Sequence, residues 1–469
     1  TNPVVLGQRL KNPYKLSTMR AVVGDLKKGG KIGRLHSVRC SDLYIKFYPK
    51  DSVEMDLLSS DTSLLLFPYP MDYEIIEGED YYLEPGRRPG DIPAQYCAVP
   101  VGKILPAVEY DIIDSLYLPE EDKALNDLEA EEILISAYGL TGNEYEPEKD
   151  LRESARWNPS GNVRVWDGYL KRYTPLEGVR VFARKWFRVK SAITDQNGNY
   201  RMQSFRSKRV NYSIRWERKN WSIRSGRVGV ACLVGGTKKQ KAWNVTIYDK
   251  SLQQFYAALH IGLYMYYNNT VGIKTPPIKT PLRPQLKVGA YNKPGRSAHG
   301  SDRRFLGIDT RLRIYRFRYT NRIQTFVEMV EVMVHEAAHA SHHELYTGKW
   351  DDVDKIVKES WAVAVPQYVL RMRYEDFESI YGRQSFKALR SGDNFYTPAI
   401  IDLIDEYDQS EFTPAGRFPV DEVCCYTLSQ LEHLLRDVAT LDDLKNSMIR
   451  YYDNDTEDFL CDYFDQYDW

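Results

Sequence analysis

The chain has 469 residues, 43% hydrophobic and 28% charged, with 64 Lys and Arg against 65 Asp and Glu for a net charge of −1. That composition is globular and sufficient for roughly two to four domains, which excludes a disordered or fibrous chain. No apolar run approaches the length of a membrane span, and no nucleic-acid-binding motif accompanies the basic residues, so nucleic acid is not an expected partner.

From the N-terminus, Asn12–Leu26 reads as a helix. Asp42–Pro49 and Ser63–Pro70 read as strands, rich in aromatic and branched residues and stopped by proline. Residues 119–135 are acidic and helix-prone, and Thr141–Asp150 has linker composition. Residues 1–150 are therefore expected to form a β-rich N-terminal domain. It would serve either to position the rest of the chain or as an inhibitory segment over a cleft.

Residues 151–248 read as a second β unit. Val163–Asp167, Gly178–Ala183, Tyr200–Phe205 and Tyr212–Trp216 all alternate apolar and polar residues. Thr194–Tyr200 is a turn of Asp, Asn and Gly, which tolerate positive φ, ending on a strand-starting aromatic. Over 151–241 there are 22 Lys and Arg against 5 Asp and Glu. Their alternate placement predicts an outward, solvated sheet face; a surface that meets an anionic polymer is the sharper reading. The run Gly-Val-x-Val-x-Ala at 178–183, followed by Thr-Asp-x-x-Gly-x-Tyr at 194–200, resembles the carboxypeptidase regulatory-like domain, a small transthyretin-like β-sandwich. The resemblance implies a non-catalytic accessory module.

From 249 the pattern turns helical. Leu252, Phe255, Leu259, Leu263 and Tyr266 recur at helical spacing. Two short strands follow, Gln285–Tyr291 and Leu312–Phe317, separated by the Gly-, Pro- and Ser-rich loop Asn292–Ser301. The remainder is mostly helix, and from 401 onward 4 Lys and Arg face 18 Asp and Glu. Thr427–Gln430 and Thr440–Asp443 read as helix caps. The expected fold class is thus α+β multidomain: a β-rich N-terminal region, a central β-sandwich and a mainly helical domain over 249–469.

The chemistry sits in that last domain. His335-Glu336-Ala337-Ala338-His339 spells HExxH. Residues four apart share a helix face, so both imidazoles can address one ion. Asn321 reads as the N-cap of this helix, with Gln324 three residues on, and Gly348 as its stop. A catalytic zinc needs three protein ligands and an open position. Glu359, 19 intervening residues beyond His339, is the natural third. It lies on a second helix starting near Asp351 or Asp352, among buried Ile356, Val357, Trp361, Ala364 and Val365, and Pro366 kinks or ends that helix. A carboxylate among apolar neighbours is costly without a partner, and a divalent cation is the partner this arrangement offers.

His335-Glu336-x-x-His339 with Glu359 resembles the gluzincin class of zinc metallopeptidases, at the spacing of thermolysin-like enzymes, over residues 250–375. The resemblance implies a zincin-like catalytic domain with Zn2+ on His335, His339 and Glu359, Glu336 as general base, and a peptide or protein substrate laid along an edge strand at Leu312–Phe317. It also implies an oxyanion-stabilising Tyr or His; Tyr396, Tyr426 and His433 are candidates and Tyr426 is preferred. The chain departs from the pattern at Val363, where thermolysin-like enzymes carry an acid that orients a ligand histidine; Glu331 is a candidate substitute. His342 and Leu345 stand where metzincins need glycine and a third histidine. Asp351 would be the acidic ligand of an aspzincin, whose GTxD-type context is absent. His342 and His343 are expected to be partly exposed helix residues.

Two further readings share these residues: a catalytically inactive cell-surface binding or adhesion protein on a zincin scaffold, and a zinc amidase acting on a non-peptide substrate. Six cysteines show neither CxxC nor framework spacing, and a Cys40–Cys97 bridge is not indicated. The start at Thr1, the 35 tyrosines and the accessory modules suggest, by analogy, a secreted or lipid-anchored bacterial envelope protein that has lost its leader.

Overall fold

The computed structural model describes residues 3–33, 35–61, 63–78, 80–88, 91–143, 157–205, 209–227, 229–239, 241–268, 272–273, 285–299, 311–375, 377, 395–406, 408 and 419–467. Helices and several sheets mix along the chain in an α+β multidomain fold. Contacts divide it into two compact units: Thr1–Val165, Thr174–Arg218 and Arg224–Tyr248 in the first, Trp166–Tyr173, Lys219–Ile223 and Asp249–Trp469 in the second. The expected boundary near 150 lies outside the described residues, and chain on both sides of it belongs to the first unit.

The first unit begins with Val5–Arg9, which pairs antiparallel with Tyr73–Glu77, and holds a three-stranded antiparallel sheet ordered Gln95–Pro100, Asp42–Phe47, Tyr110–Leu116. Helices Leu16–Lys28 and Asp127–Thr141 pack on one another. The first of these starts later than Asn12, whose side chain accepts from the Tyr14 amide and donates to Asp114. Ser63–Pro70, expected as a strand, is not one. Only Phe67 bridges to Tyr96, because Pro68 and Pro70 lack the N–H that a ladder needs.

Two four-stranded sheets follow. In one, Ser160–Asp167 lies between Asn199–Arg201 and Val245–Ile247 and also pairs with Arg172–Pro175; the other is ordered Cys232–Lys239, Arg209–Arg215, Arg180–Lys185, Arg188–Ile193. Tyr200 of the first sheet meets Tyr212 of the second edge-on at 6.5 Å and donates its hydroxyl to the Trp243 carbonyl. The Asp195 carboxylate accepts from the amides of Asn197 and Asn199 and so tightens the turn the sequence signalled. Only glycine fits at 198: φ is +74°, and a Cβ would come within 2.3 Å of the Val163 carbonyl.

The expected solvated basic face needs correction. Arg184 and Arg215 are only 1% and 7% exposed. Arg184 lies over the rings of Phe67 and Tyr69, at 5.2 and 5.7 Å, and donates to the carbonyls of Met71 and Trp186. Arg215 lies over Phe67 and Phe182, at 4.4 and 4.8 Å. A planar, weakly hydrated guanidinium can be buried this way where an ammonium cannot. The aromatic segment that fails as a strand therefore covers this sheet, and one core runs from Met19 and Tyr44 through Trp186 to Val234.

The second unit is built around three helices in series contact: Leu252–Asn268 against Phe326–Leu345, and that against Lys355–Arg371. Gly262 sets the first contact. A Cβ there would come within 2.9 Å of the Met333 Cβ and 3.1 Å of the Val330 carbonyl, so its absence allows close approach. Leu286–Pro294 runs parallel to Arg311–Phe317, and Ala298–His299 pairs antiparallel on the far side and, among the described residues, occupies the edge. Leu312–Phe317 is therefore not the edge strand expected. Ala298–His299 covers Leu312 and Arg313, and Gln324 donates its main-chain and side-chain N–H groups to the Arg316 and Tyr315 carbonyls. Helices Leu428–Leu434, Leu441–Tyr451 and Leu460–Asp465 complete the unit, with capping boxes at Thr427 and Thr440. All six cysteines are free thiols. Among the described residues no helix is long and apolar enough to cross a membrane.

Arg184→Ala should destabilise the protein by about 2–4 kcal/mol, since it removes two buried hydrogen bonds and the cation stacked on two rings. Arg184→Lys should recover little of that, because one ammonium cannot reproduce the stacked plane. Urea unfolding followed by tryptophan fluorescence measures both; a loss under about 0.5 kcal/mol, the ordinary range of surface substitutions, would contradict the assignment.

Candidate metal centre

The motif helix is nucleated by a reciprocal cap. The Thr325 hydroxyl accepts from the Glu328 amide while the Glu328 carboxylate accepts from the Thr325 amide. This corrects the expected cap at Asn321, which sits in a turn between Arg318 and Arg322 with φ +66°, a conformation asparagine tolerates. Arg318 and Arg322 both grip Glu328 at 2.7 Å. Burial alone would push the Glu328 carboxyl up, but Arg322 and the other partners hold it below its ordinary range. A charged acid is thus fixed in the first turn, where the helix dipole favours it. The helix ends at Leu345, with Tyr346 as its C-cap, ahead of the expected stop at Gly348.

The second helix also starts later than expected. Trp350–Asp352 is a short 3-10 turn, and the α-helix spans Lys355–Arg371, so neither Asp351 nor Asp352 is its cap. It continues through Pro366 rather than ending there.

Where the two helices meet, three donors converge. His335 Nε2 and His339 Nε2 are 3.2 Å apart, His339 Nε2 and Glu359 Oε2 3.1 Å, and His335 Nε2 and Glu359 Oε2 3.4 Å. The two histidines are buried, at 3% and 9% exposure. Three donors grouped so tightly form a site that could hold a metal ion. The spacing fits one small divalent cation, because such an ion draws nitrogen and oxygen ligands to about 2.0–2.2 Å. Burial pushes Glu359 up, but the two imidazoles overcome that and hold its carboxyl far below the ordinary range. Burial pushes His335 down, while Glu359, Glu336 and the Ala362 carbonyl more than offset it, so the net direction is up. The site therefore favours positive charge, which protons supply when no cation is present.

Glu336 is 5% exposed and, lying next to His335 in sequence, acts on it electrostatically. Tyr396 sets its ring 5.8 Å from that of His335. Burial first, then Glu359 and Glu336, raise its hydroxyl pKa, so it stays a neutral donor at physiological pH. The preferred Tyr426 is not brought to the cluster. It is buried, the charged group acting on its hydroxyl is Glu457, and its amide is held by the Leu403 carbonyl. His433 is exposed and bonded to the Tyr452 hydroxyl. Tyr426 lies in the irregular segment just before the helix Leu428–Leu434, and no local pattern in the sequence distinguishes Tyr396 from it.

His342, expected to be partly exposed, is 1% exposed, edge-on to Trp350 at 4.9 Å, and burial pushes its pKa down to about 3. His343 is half-buried against the same indole. Neither joins the donor group, and nor does exposed Asp351. Glu331 is buried one turn before His335.

A second close group, Asp402, Asp405 and Asp421, is stabilised by other means. Tyr463 donates to Asp402 at 3.0 Å, and Arg371 pairs with Asp405 at 3.1 Å. Burial, then Asp405 and Asp408, drive the Asp421 carboxyl well above its ordinary range, so it keeps a proton.

No family model matches the chain, and no curated protein matches it. Among solved structures it has a weak likeness to a 9R-lipoxygenase from Cyanothece PCC8801, with a TM-score of 0.13 and 9% identity over 26% of this chain and 24% of that one. A likeness of that size bears on neither fold nor function.

The protonated Asp421 carries a pH dependence. Between the ordinary carboxylate pKa near 4 and its raised folded value, the native protein holds a proton the unfolded chain has lost. Stability therefore falls as pH rises through that window. Asp421→Asn should flatten the slope and gain on the wild type toward the alkaline end. Urea midpoints measured across the window test this, and an unchanged slope in the variant would refute the protonated assignment.

Proposed function

We propose that the chain is a zinc-dependent metallopeptidase. The observation that carries the reading is the donor triangle. Ligands about 2.0–2.1 Å from a tetrahedral zinc stand roughly 3.3 Å apart, and the three separations here are 3.2, 3.1 and 3.4 Å. Two imidazoles and one carboxylate are the ligand chemistry zinc takes in hydrolytic sites. When bound there, zinc supplies Lewis acidity toward a carbonyl oxygen and lowers the pKa of its water to about 7.

The chain's own residues do the rest. Glu336, beside the ligand His335 on a buried helix face, accepts the proton of the attacking water and returns it to the leaving amine. Tyr396, kept neutral and half-buried against His335, donates a hydrogen bond to the oxyanion that develops on the scissile carbonyl. Ala298–His299, at the sheet edge and in contact with the motif helix, offers main-chain groups with which an extended peptide can pair. The HExxH and glutamate spacing supports the same assignment.

Two variants test it. Glu336→Gln should keep stoichiometric zinc by mass spectrometry under native conditions, yet lose cleavage of a fluorogenic peptide library by 10²-fold or more, about the contribution of a general base. Tyr396→Phe should lower kcat about 10²- to 10³-fold with little change in KM, the usual effect of removing one oxyanion donor, while Tyr426→Phe should leave kcat intact. Wild-type turnover by zinc-loaded Glu336→Gln would refute the mechanism. Full zinc occupancy with no cleavage by the wild type would favour the binding-protein reading, and cleavage confined to non-peptide amides the amidase reading.

A further inference from the structure

Cys424 and Cys425 are adjacent in sequence, and their sulfurs stand 2.6 Å apart. Neighbouring residues of an extended chain send their side chains to opposite sides. Here the backbone turns at Cys425, whose φ of +73° lies in the left-handed region that a residue with a Cβ rarely takes. The segments on either side are anchored. The Cys424 amide donates to the Thr456 hydroxyl at 3.1 Å, the Cys424 carbonyl accepts from the Asn454 side chain at 3.0 Å, and the Tyr426 amide donates to the Leu403 carbonyl. These bonds offset the unfavourable conformation and hold both thiols on one side. A backbone state kept at such a cost points to a use.

Two uses fit a thiol pair. With Glu406, whose Oε1 lies 3.9 Å from the Cys425 Sγ, the pair has the donors for a metal ion. Distance decides between them. Two thiolates on a tetrahedral zinc stand roughly 3.7 Å apart, whereas a disulfide bond is about 2.05 Å long. At 2.6 Å the sulfurs are placed to bond one another. Cys425 is exposed and Cys424 half-buried, so a small reagent can reach the pair, while Cys97 and Cys232 are buried.

We propose that Cys424 and Cys425 form a reversible thiol–disulfide site, oxidised to a vicinal disulfide by a low-molecular-weight disulfide of the glutathione type. Cys425 attacks one sulfur of the incoming disulfide, which forms a mixed disulfide and releases one thiol. Cys424 then attacks the Cys425 sulfur, which closes the ring and releases the second thiol. The two cysteine protons end on the released thiols, and the incoming disulfide gains the two electrons that the pair gives up. A disulfide closed across a single peptide bond is a tight ring, and strained or exposed disulfides are the readily reduced ones, so a dithiol reverses the reaction. The site shares no residue with the donor triangle, and the inference is independent of the metal-centre reading.

The test equilibrates the full chain with mixtures of reduced and oxidised glutathione, alkylates the remaining thiols and digests with trypsin without reduction. Cys424 and Cys425 share the tryptic peptide 418–436, and Cys461 falls in 451–469. As the mixture becomes oxidising, mass spectrometry should find peptide 418–436 two hydrogens lighter, with neither an alkyl group nor glutathione attached. Dithiothreitol should restore both thiols. Cys424→Ser should stop at the glutathione adduct on Cys425. In urea, closure should need a mixture about 10-fold more oxidising, because the unfolded chain must itself reach the left-handed conformation. Two thiols that survive in oxidised glutathione, a lasting glutathione adduct on the wild type, a link from 418–436 to 451–469, or equal closure in urea would each overturn the proposal.

Discussion

Three lone-pair atoms of the second unit are held within 3.4 Å of one another. Such a cluster repels itself unless positive charge enters it, and burial removes the water that would otherwise screen the repulsion. The direction of each group's shift follows: Glu359 is held ionised and His335 is pushed toward its charged form. The second unit then reads as the means of holding that cluster together. Thr325 and Glu328 start the motif helix at a fixed residue, and with it the rotation that sends His335 and His339 to one side. Gly262 lets a third helix close on the opposite face near Met333, while Ala337 and Ala338, both fully buried, keep the centre of the helix slim.

The first unit solves a different problem. A sheet with arginines at alternate positions would ordinarily leave them in water. Here Phe67 lies over the guanidiniums of both Arg184 and Arg215; carbonyl oxygens and the Tyr69 ring complete the surroundings of Arg184, and the Phe182 ring and the Glu217 carboxylate, at 3.7 Å, those of Arg215. The cations act as part of the core, which leaves these two unavailable to an anionic polymer. The basic surplus of 151–241 therefore overstates how much positive surface this unit presents.

How far the sequence could be read follows from the range of each interaction. Strand alternation, the Asp195–Gly198 turn, the caps at Thr427 and Thr440 and the HExxH face are set by neighbours within a few residues, and all of them could be read locally. Glu359 could be read because carboxylates are expensive among apolar side chains and the adjacent helix offered them a partner. What escaped depends on distant chain. Arg184 was assigned to solvent because Phe67 lies more than a hundred residues away. Asn321 seemed a good cap, but the strand returning into the helix required a left-handed residue there and Thr325 made the better reciprocal pair. Tyr396 and Tyr426 are indistinguishable by pattern among 35 tyrosines, and only folding brings the first beside His335.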